Sequence, residues 1–114
     1  MLEKILVDLN AIDGVNGSIV TGKDGLVIAQ RAPPDTDVDL ASAMAATVFG
    51  TGEKAVAELK QGEIEQAMIE GSAGKTLIIA GKNAILMVIT SPDVNLGLIR
   101  IEMRRCIKEI EESL

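Results

Sequence analysis

The chain has 114 residues, of which 47% are hydrophobic, but it has no His, Trp or Tyr and only one Cys and one Phe. Without His there is no His-based acid–base pair, triad or His-ligated zinc, and one Cys allows neither a thiolate cluster nor an intrachain disulfide. The net charge of -6 opposes binding to nucleic acid, because that affinity comes mainly from neutralising phosphates. We therefore expect one domain over residues 1–114 with an aliphatic core and no metal or cofactor.

The sequence shows neither a signal peptide nor a membrane-spanning segment. Acidic Glu3 lies near the start, and the apolar stretch from 76 to 90 is interrupted by Gly81-Lys82-Asn83. We expect a cytoplasmic protein without direct membrane insertion.

The first segment predicts a helix followed by a β-hairpin. One apolar helix face is formed by Leu2, Ile5, Leu6, Leu9 and Ile12. Gly14 is placed to end this helix in a left-handed cap. The β-rich segments 18–21 and 26–29 are joined by Gly22-Lys23-Asp24-Gly25, in which Asp-Gly is a strong tight-turn signal.

A long middle helix is predicted from about residue 37 to residue 61. Pro33 and Pro34 end the preceding strand, because proline cannot donate to a strand ladder. Thr36 with Asp39 resembles a capping box at the start of the helix, and Gly62 is placed to cap its end.

Three strands and a last helix complete the chain. The strands are predicted at 63–70, 75–80 and 84–90, joined by connectors of hairpin length. The last helix is predicted at 96–113, and its apolar stripe is predicted to contain Leu98, Ile101, Cys106 or Ile107, and Ile110.

The predicted order is α-β-β-α-β-β-β-α, and its chained hairpins indicate a five-stranded antiparallel sheet of the α+β type. The segments 77–80 and 85–89 show no polar alternation, which indicates that both sheet faces are covered. We therefore expect a three-layer α/β/α sandwich, with the terminal helices on one face and the middle helix on the other.

The middle helix has almost no polar face, which predicts a homodimer because monomers rarely expose a large apolar patch. The strand at 63–70 has the character of a sheet edge that can pair with its own copy, although Glu63, Glu65 and Glu70 could instead prevent such pairing. Alanine also tolerates water in a helix, so a monomer is the alternative. The predicted dimer contacts are Ala41, Met44, Ala45, Val48, Phe49, Gly52, Glu65, Ala67 and Ile69.

Four other motifs favour structural over chemical roles. Gly71-Ser72-Ala73-Gly74-Lys75-Thr76 lacks the first glycine of a phosphate loop and leads into a strand. The carboxylates at 35, 37 and 39 suit a helix start better than calcium. Cys106 is predicted to be buried, and the basic positions 100, 104 and 105 are predicted to be solvated rather than to form an arginine finger.

The chain resembles the Roadblock/dynein light chain family. The resemblance rests on the strand–turn–strand segment 19–28, on the Ala-rich helix before a Glu-containing strand, and on Asn95-Leu96-Gly97-Leu98-Ile99-Arg100 at the start of the last helix. It covers residues 2–114. A profilin-like or longin-like domain is the nearest alternative fold.

The resemblance implies a homodimer in which middle helices and third strands meet across a two-fold axis. It also implies a Ras-like small GTPase as partner, whose hydrolysis of GTP such proteins accelerate without supplying a catalytic residue. By this resemblance the docking surface lies around Thr47, Thr51, Lys54 and Glu58. The alternatives are a structural dimerisation adaptor with no effect on nucleotide turnover, and an enzyme that uses a carboxylate pair.

Overall fold

The computed structural model describes residues 1–114, which form three helices and five strands in the predicted order. The helices are α1 (Leu2–Asn10), α2 (Val38–Glu58) and α3 (Leu96–Glu112). The strands are β1 (Val15–Gly22), β2 (Val27–Arg31), β3 (Gln66–Gly71), β4 (Gly74–Ala80) and β5 (Ala84–Thr90). None of the helices is both long and apolar enough to cross a membrane.

The strands form one antiparallel sheet in the order β2-β1-β5-β4-β3, so β5 is central and β2 and β3 are the edges. The register places Ile19, Met87, Ile78 and Ala67 in one row across four neighbouring strands. Because side chains alternate between the faces of a sheet, this row defines one face and its sequence neighbours define the other.

The two sheet faces carry separate apolar clusters, which confirms the predicted three-layer sandwich. One cluster joins α1 and α3 to the sheet, and its fully buried side chains include Leu6, Leu86 and Ile99. The other joins α2 to the opposite face and consists of Ile19, Ala45, Phe49, Ile78, Ile85 and Met87. The strands β4 and β5 contribute to both clusters, which explains why they lack polar alternation.

The ends of α2 differ from the prediction. Asp37 rather than Thr36 is the N-cap, and its carboxylate accepts the backbone N–H of Leu40 at 3.1 Å. At the other end Lys60 takes the left-handed conformation, with φ of 56°, two residues before Gly62. The backbone N–H groups of Lys60 and Gln61 donate to the carbonyls of Ala57 and Val56, which closes the helix in a Schellman motif without glycine.

Gly14 does not cap α1, and the strand after α2 begins later than predicted. The helix α1 ends at Asn10 with Ala11 as its cap, and Gly14, with φ of 88°, lies in the turn before β1. Residues 63–65 form a loop rather than part of β3. In this loop Ile64 packs so closely on Gly52 of α2 that an added Cβ would lie 2.4 Å from Ile64 Cδ1.

The buried stripe of α3 is rotated relative to the prediction. Leu98 and Ile101 are 45% and 64% exposed, whereas Ile99 and Met103 are buried in their place. The pair Leu98 and Ile101 and the pair Ile99 and Met103 each have a spacing that suits one helix face. Only the pair Ile99 and Met103 continues into the buried residues Cys106, Ile107 and Ile110. Asn95 caps this helix by accepting the N–H of Leu98 at 3.0 Å, consistent with its predicted position at the start.

Glu111 joins the end of α3 to the turn between β4 and β5. Its carboxylate accepts the backbone N–H groups of Asn83 and Ala84 at 2.9 and 2.8 Å and the Asn83 side-chain amide at 3.1 Å. A Cβ on Gly81 would lie within 2.6 Å of this carboxylate, so the turn leaves room for it by using glycine. The contact holds α3 against the sheet at its C-terminal end.

We expect Glu111→Ala to lower the free energy of unfolding by about 2 kcal/mol, because the buried Ala84 N–H loses a charged acceptor. Urea denaturation followed by circular dichroism measures the change. The control is Glu112→Ala, which removes the same charge from the neighbouring exposed position. An equal loss of stability in both variants would show that the contact with the turn is not the cause.

Candidate functional site at α2 and the edge of β3

The helix α2 has a buried face toward its own sheet and an apolar face toward solvent. Ser42, Ala45 and Phe49 are its buried residues. On the opposite side Leu40 and Met44 are 54% and 53% exposed. Two large apolar side chains one helical turn apart therefore lie on the outer surface of the protein.

Two glycine contacts show which flank of α2 faces which edge of the sheet. Gly52 lies against Ile64, in the segment that leads into β3. Gly25, in the turn between β1 and β2, lies against Ala43 and Ala46. At about 100° per residue, Ala41 and Val48 share the flank of Gly52. The β3 flank of α2 is therefore lined by small or half-buried apolar residues, and Met44 lies between this flank and the outer face.

Two of the predicted dimer contacts are wrong. Ala45 and Phe49 are only 1% and 3% exposed and pack on their own sheet, so they have no surface left for a second copy. The sequence pattern did not separate them from their neighbours because α2 is apolar on several sides. Of the remaining α2 contacts, Met44 is exposed and Ala41, Val48 and Gly52 are half-buried.

The strand β3 is an edge, as predicted, and pairs only with β4. Its register puts Ala67 and Ile69 on the α2 face, where Ala67 is half-buried and Ile69 is 49% exposed. Glu63 and Glu65 lie in the preceding loop, so Glu70 is the only one of the three glutamates within the strand. The edge is therefore less protected by charge than the sequence suggested.

The predicted docking residues Thr47, Thr51, Lys54 and Glu58 are all exposed and lie along the outer face of α2. The hydroxyls of Thr47 and Thr51 donate to the carbonyls of Ala43 and Thr47, each at 2.9 Å. Lys54 and Glu58 form no ion pair with any residue of the chain. The surface offers methyl groups and two free charges of opposite sign.

A groove of about 660 Å³ lies at the C-terminal half of α2, between the helix and two strand turns. It brings together Lys23, Glu53, Glu63 and Lys82 around the ring of Phe49. These charged groups form no ion pair with one another, and no group of three or more acidic or Cys side chains anywhere is arranged to hold a metal ion.

The segment from Gly71 to Thr76 is the turn between β3 and β4, and it does not open a helix. The ammonium group of Lys75 donates to the Pro92 carbonyl and lies 3.5 Å from Glu70. Its side chain is only 12% exposed, so the lysine is occupied within the fold. This arrangement excludes a phosphate loop here.

The reactive side chains of α3 are also accounted for. Arg105 pairs with Glu102 and Glu109, each at 2.6 Å, which raises the pKa of its guanidinium, chiefly through the hydrogen bond to Glu102. Burial raises the pKa of the Cys106 thiol. A thiol in these surroundings is protonated and shielded, which is the opposite of a catalytic nucleophile.

The model of the Roadblock/LC7 domain matches residues 1–91 of the chain. The protein belongs to the Roadblock/LC7 family. MJ1340 of Methanocaldococcus jannaschii is 48% identical over 111 residues, which cover 97% of each chain. The match ends before α3, so the segment Asn95–Arg100 lies outside the residues that decide membership.

Solved structures show the same fold at low identity. A Roadblock/LC7 domain from Streptomyces avermitilis has a TM-score of 0.90 at 17% identity, covering 96% of this chain and 94% of that chain. MglB from Myxococcus xanthus has a TM-score of 0.89 at 18% identity, covering 99% and 96%. A structure of MglB with tetrameric arrangement has a TM-score of 0.87 at 16% identity, covering 99% and 90%.

We expect Cys106 to resist thiol reagents such as dithiobis(nitrobenzoate) at pH 8 in the native Roadblock/LC7 protein, because the residue is 2% exposed and the pKa of its thiol is raised. Labelling is followed by absorbance with and without urea. Full labelling in urea is the control for reagent and stoichiometry. Rapid native labelling, at the rate seen in urea, would contradict the burial of this side chain.

Proposed function

We propose that residues 1–114 act as one non-catalytic module that forms a homodimer and binds a Ras-like small GTPase as a regulator or scaffold. The observation that carries the proposal is the apolar surface on α2 and β3, where Leu40, Met44 and Ile69 are each about half exposed beside an unpaired strand edge. The membership in the Roadblock/LC7 family supports this choice of function.

The α2–β3 surface favours a second copy of the chain as its cover. Large exposed apolar patches mark interaction sites in soluble proteins, and a two-fold axis lets one patch cover its own copy. The flank with Ala41 and Val48 has short side chains, so a second α2 approaches closely there, whereas Gly52 on the same flank is already contacted by Ile64 of its own chain. We place the dimer contacts at Ala41, Met44, Val48, Gly52, Glu65, Ala67 and Ile69, without Ala45 and Phe49.

Pairing of β3 with its copy satisfies the free backbone groups of the edge. When a two-fold axis relates two antiparallel edge strands in this way, the α2 face of one subunit continues as the α2 face of the other. Both α2 helices then lie together on one face of a ten-stranded sheet, next to the axis. Strand pairing and helix packing are therefore satisfied by a single axis.

The outer face of α2 remains available in this dimer. Thr47, Thr51 and Glu58 lie roughly 60–120° around the helix from Ala41 and Val48, so docking and dimer residues form neighbouring stripes. Two copies of the docking surface lie side by side across the axis. A GTPase can therefore contact both subunits at once.

Regulation of this kind needs no reactive group from the protein. A rigid surface that binds one conformation of the GTPase switch segments more tightly shifts their population toward that conformation. A tenfold shift requires about 1.4 kcal/mol of differential affinity, which a few surface contacts supply. The GTPase itself binds the magnesium and the nucleotide and positions the attacking water.

We expect light scattering at micromolar concentration to give twice the chain mass of 12.0 kDa. The double variant Met44→Glu/Ile69→Glu is expected to weaken the dimer by at least about a hundredfold, because each buried carboxylate loses its hydration. The control is Leu26→Glu, the same type of change at a side chain that is 69% exposed beside β2, at the edge of the sheet opposite to β3. A wild-type mass near 12 kDa would reject the dimer.

The proposed regulation is tested by single-turnover GTP hydrolysis with a Ras-like GTPase from the same genome, first one encoded next to this protein. We expect faster hydrolysis in the presence of the dimer and at least about a tenfold loss of this effect in Thr51→Arg/Lys54→Glu, which adds bulk and reverses one charge. The control variant Lys4→Glu changes charge on α1, on the opposite side of the sheet.

The outcome separates the two functional candidates. Binding of the GTPase with unchanged turnover would identify a structural adaptor instead of a regulator. Absence of binding to every Ras-like GTPase tested would reject the GTPase partnership, whatever the oligomeric state.

A further inference from the structure

Three cations on α3 have no counter-ion within the chain. Arg100, Arg104 and Lys108 are spaced four residues apart and occupy one side of the helix, spanning about 12 Å. None of them forms a salt bridge, whereas the neighbouring Arg105 pairs with two glutamates. We call these three residues the α3 stripe. In a protein of net charge -6, such a concentration of unpaired positive charge needs an explanation.

The α3 stripe begins at Arg100 on the side of the helix that faces β3 and turns outward, so that Lys108 lies about 80° further around the helix. The Arg100 guanidinium reaches Met68 of β3, with 3.7 Å between Nη2 and the Met68 sulfur. The register puts Met68 on the α3 face of the sheet, opposite to Ile69. Met68 is 40% exposed, and the buried Arg100 Nε has no hydrogen-bond partner. An exposed apolar side chain therefore lies beside cationic groups whose N–H donors are not all used within the chain.

We propose that the α3 stripe and Met68 form a docking surface for an acidic amphipathic helix of a second partner protein, separate from the α2 surface. Carboxylates of that helix pair with the stripe, and its apolar side contacts Met68. The unpaired guanidinium groups supply several donors each, in a geometry that suits carboxylates.

The size of the surface admits one side of a single helix, but not its full width, when the proposed dimer forms. The helix α3 packs on β4 and β5, so joining two β3 strands separates the two α3 axes by roughly four strand spacings, about 19 Å. Two helices of about 10 Å diameter leave a trough roughly 9 Å wide between them. Its walls carry Arg100 and Arg104 of each stripe, and its floor contains Met68 of each copy. Only this trough rests on the proposed dimer, because each stripe is complete in one subunit.

An acidic protein fits better than nucleic acid or a lipid surface. The rest of the chain carries an excess of negative charge, which repels an extended polyanion beyond the stripe. The stripe is about 12 Å long and matches two or three carboxylates spaced one helical turn apart. The adjacent apolar floor favours a ligand with mixed surface rather than phosphates alone.

The test uses a fluorescent helical peptide with Glu in an i, i+4 series beside a Leu face, and the same peptide with Gln for Glu. Anisotropy titrations at low and high salt measure the affinity for the full-length wild-type protein. We expect the Glu peptide to bind at least about tenfold more tightly than the Gln peptide, with the difference reduced by salt.

The variant Arg100→Gln/Arg104→Gln/Lys108→Gln is expected to lose about tenfold in affinity. The double variant Arg104→Gln/Lys108→Gln leaves the contact between Arg100 and Met68 intact, and its affinity for the Glu peptide is expected to fall about threefold. The control Lys23→Gln/Lys60→Gln/Lys82→Gln removes the same charge from exposed positions elsewhere and is expected to bind as the wild type does.

Three results would overturn the proposal: no binding of the Glu peptide, equal loss in the control variant, or stripe-dependent binding to phosphatidylserine vesicles in place of the peptide. Light scattering on the same samples keeps the dimer question separate. A monomeric protein that binds the peptide through the stripe would reject the proposed dimer and support this surface. A dimer that does not bind the peptide would support the proposed dimer and reject this surface.

Discussion

The structure depends on a mismatch between the width of the sheet and the number of helices that cover it. The inner strands β1, β4 and β5 carry buried apolar side chains on both faces, so both faces require a layer of helices. With α1 and α3 on one face, α2 alone must cover the other. A helix about 10 Å wide cannot cover five strands spaced about 4.8 Å apart. On the α2 face the uncovered strip includes Ile69 of β3, and on the opposite face Met68 of the same edge strand is also exposed. Both proposed interaction surfaces therefore include the β3 edge, one on each face of the sheet.

Sequence reasoning predicted the layers well because burial on both faces leaves a direct trace. The apolar strands β4 and β5 indicate that helices cover both faces of the sheet, as the structure has them. Local competition explains the errors at helix ends. Thr36 and Asp37 are both good N-caps, and a hydrogen-bond pattern that needs a left-handed residue is satisfied at Lys60 although Gly62 is near. The choice between such neighbours is made by tertiary packing, which short motifs do not contain.

The site was predicted less completely for a related reason. Where a helix is apolar on several sides, as α2 is, the sequence shows that it is covered but not which side faces its own sheet, so Ala45 and Phe49 could not be distinguished from Met44. In α3 two sets of apolar residues have helical spacing, and the structure buries Ile99 and Met103 rather than Leu98 and Ile101. Unexplained polar groups give no sequence signal at all. The Ser42 hydroxyl is buried without a partner, and nothing in the structure accounts for it.

The contact of Glu111 with the β4–β5 turn has a consequence for synthesis on the ribosome. The turn amides at Asn83 and Ala84 receive their acceptor from a residue that is translated almost 30 positions later. Until α3 has left the exit tunnel, α1 is the only helix available to the sheet face that they share. The nascent chain therefore exposes apolar strand surface until α3 emerges, and chaperones that recognise such surface act in that interval.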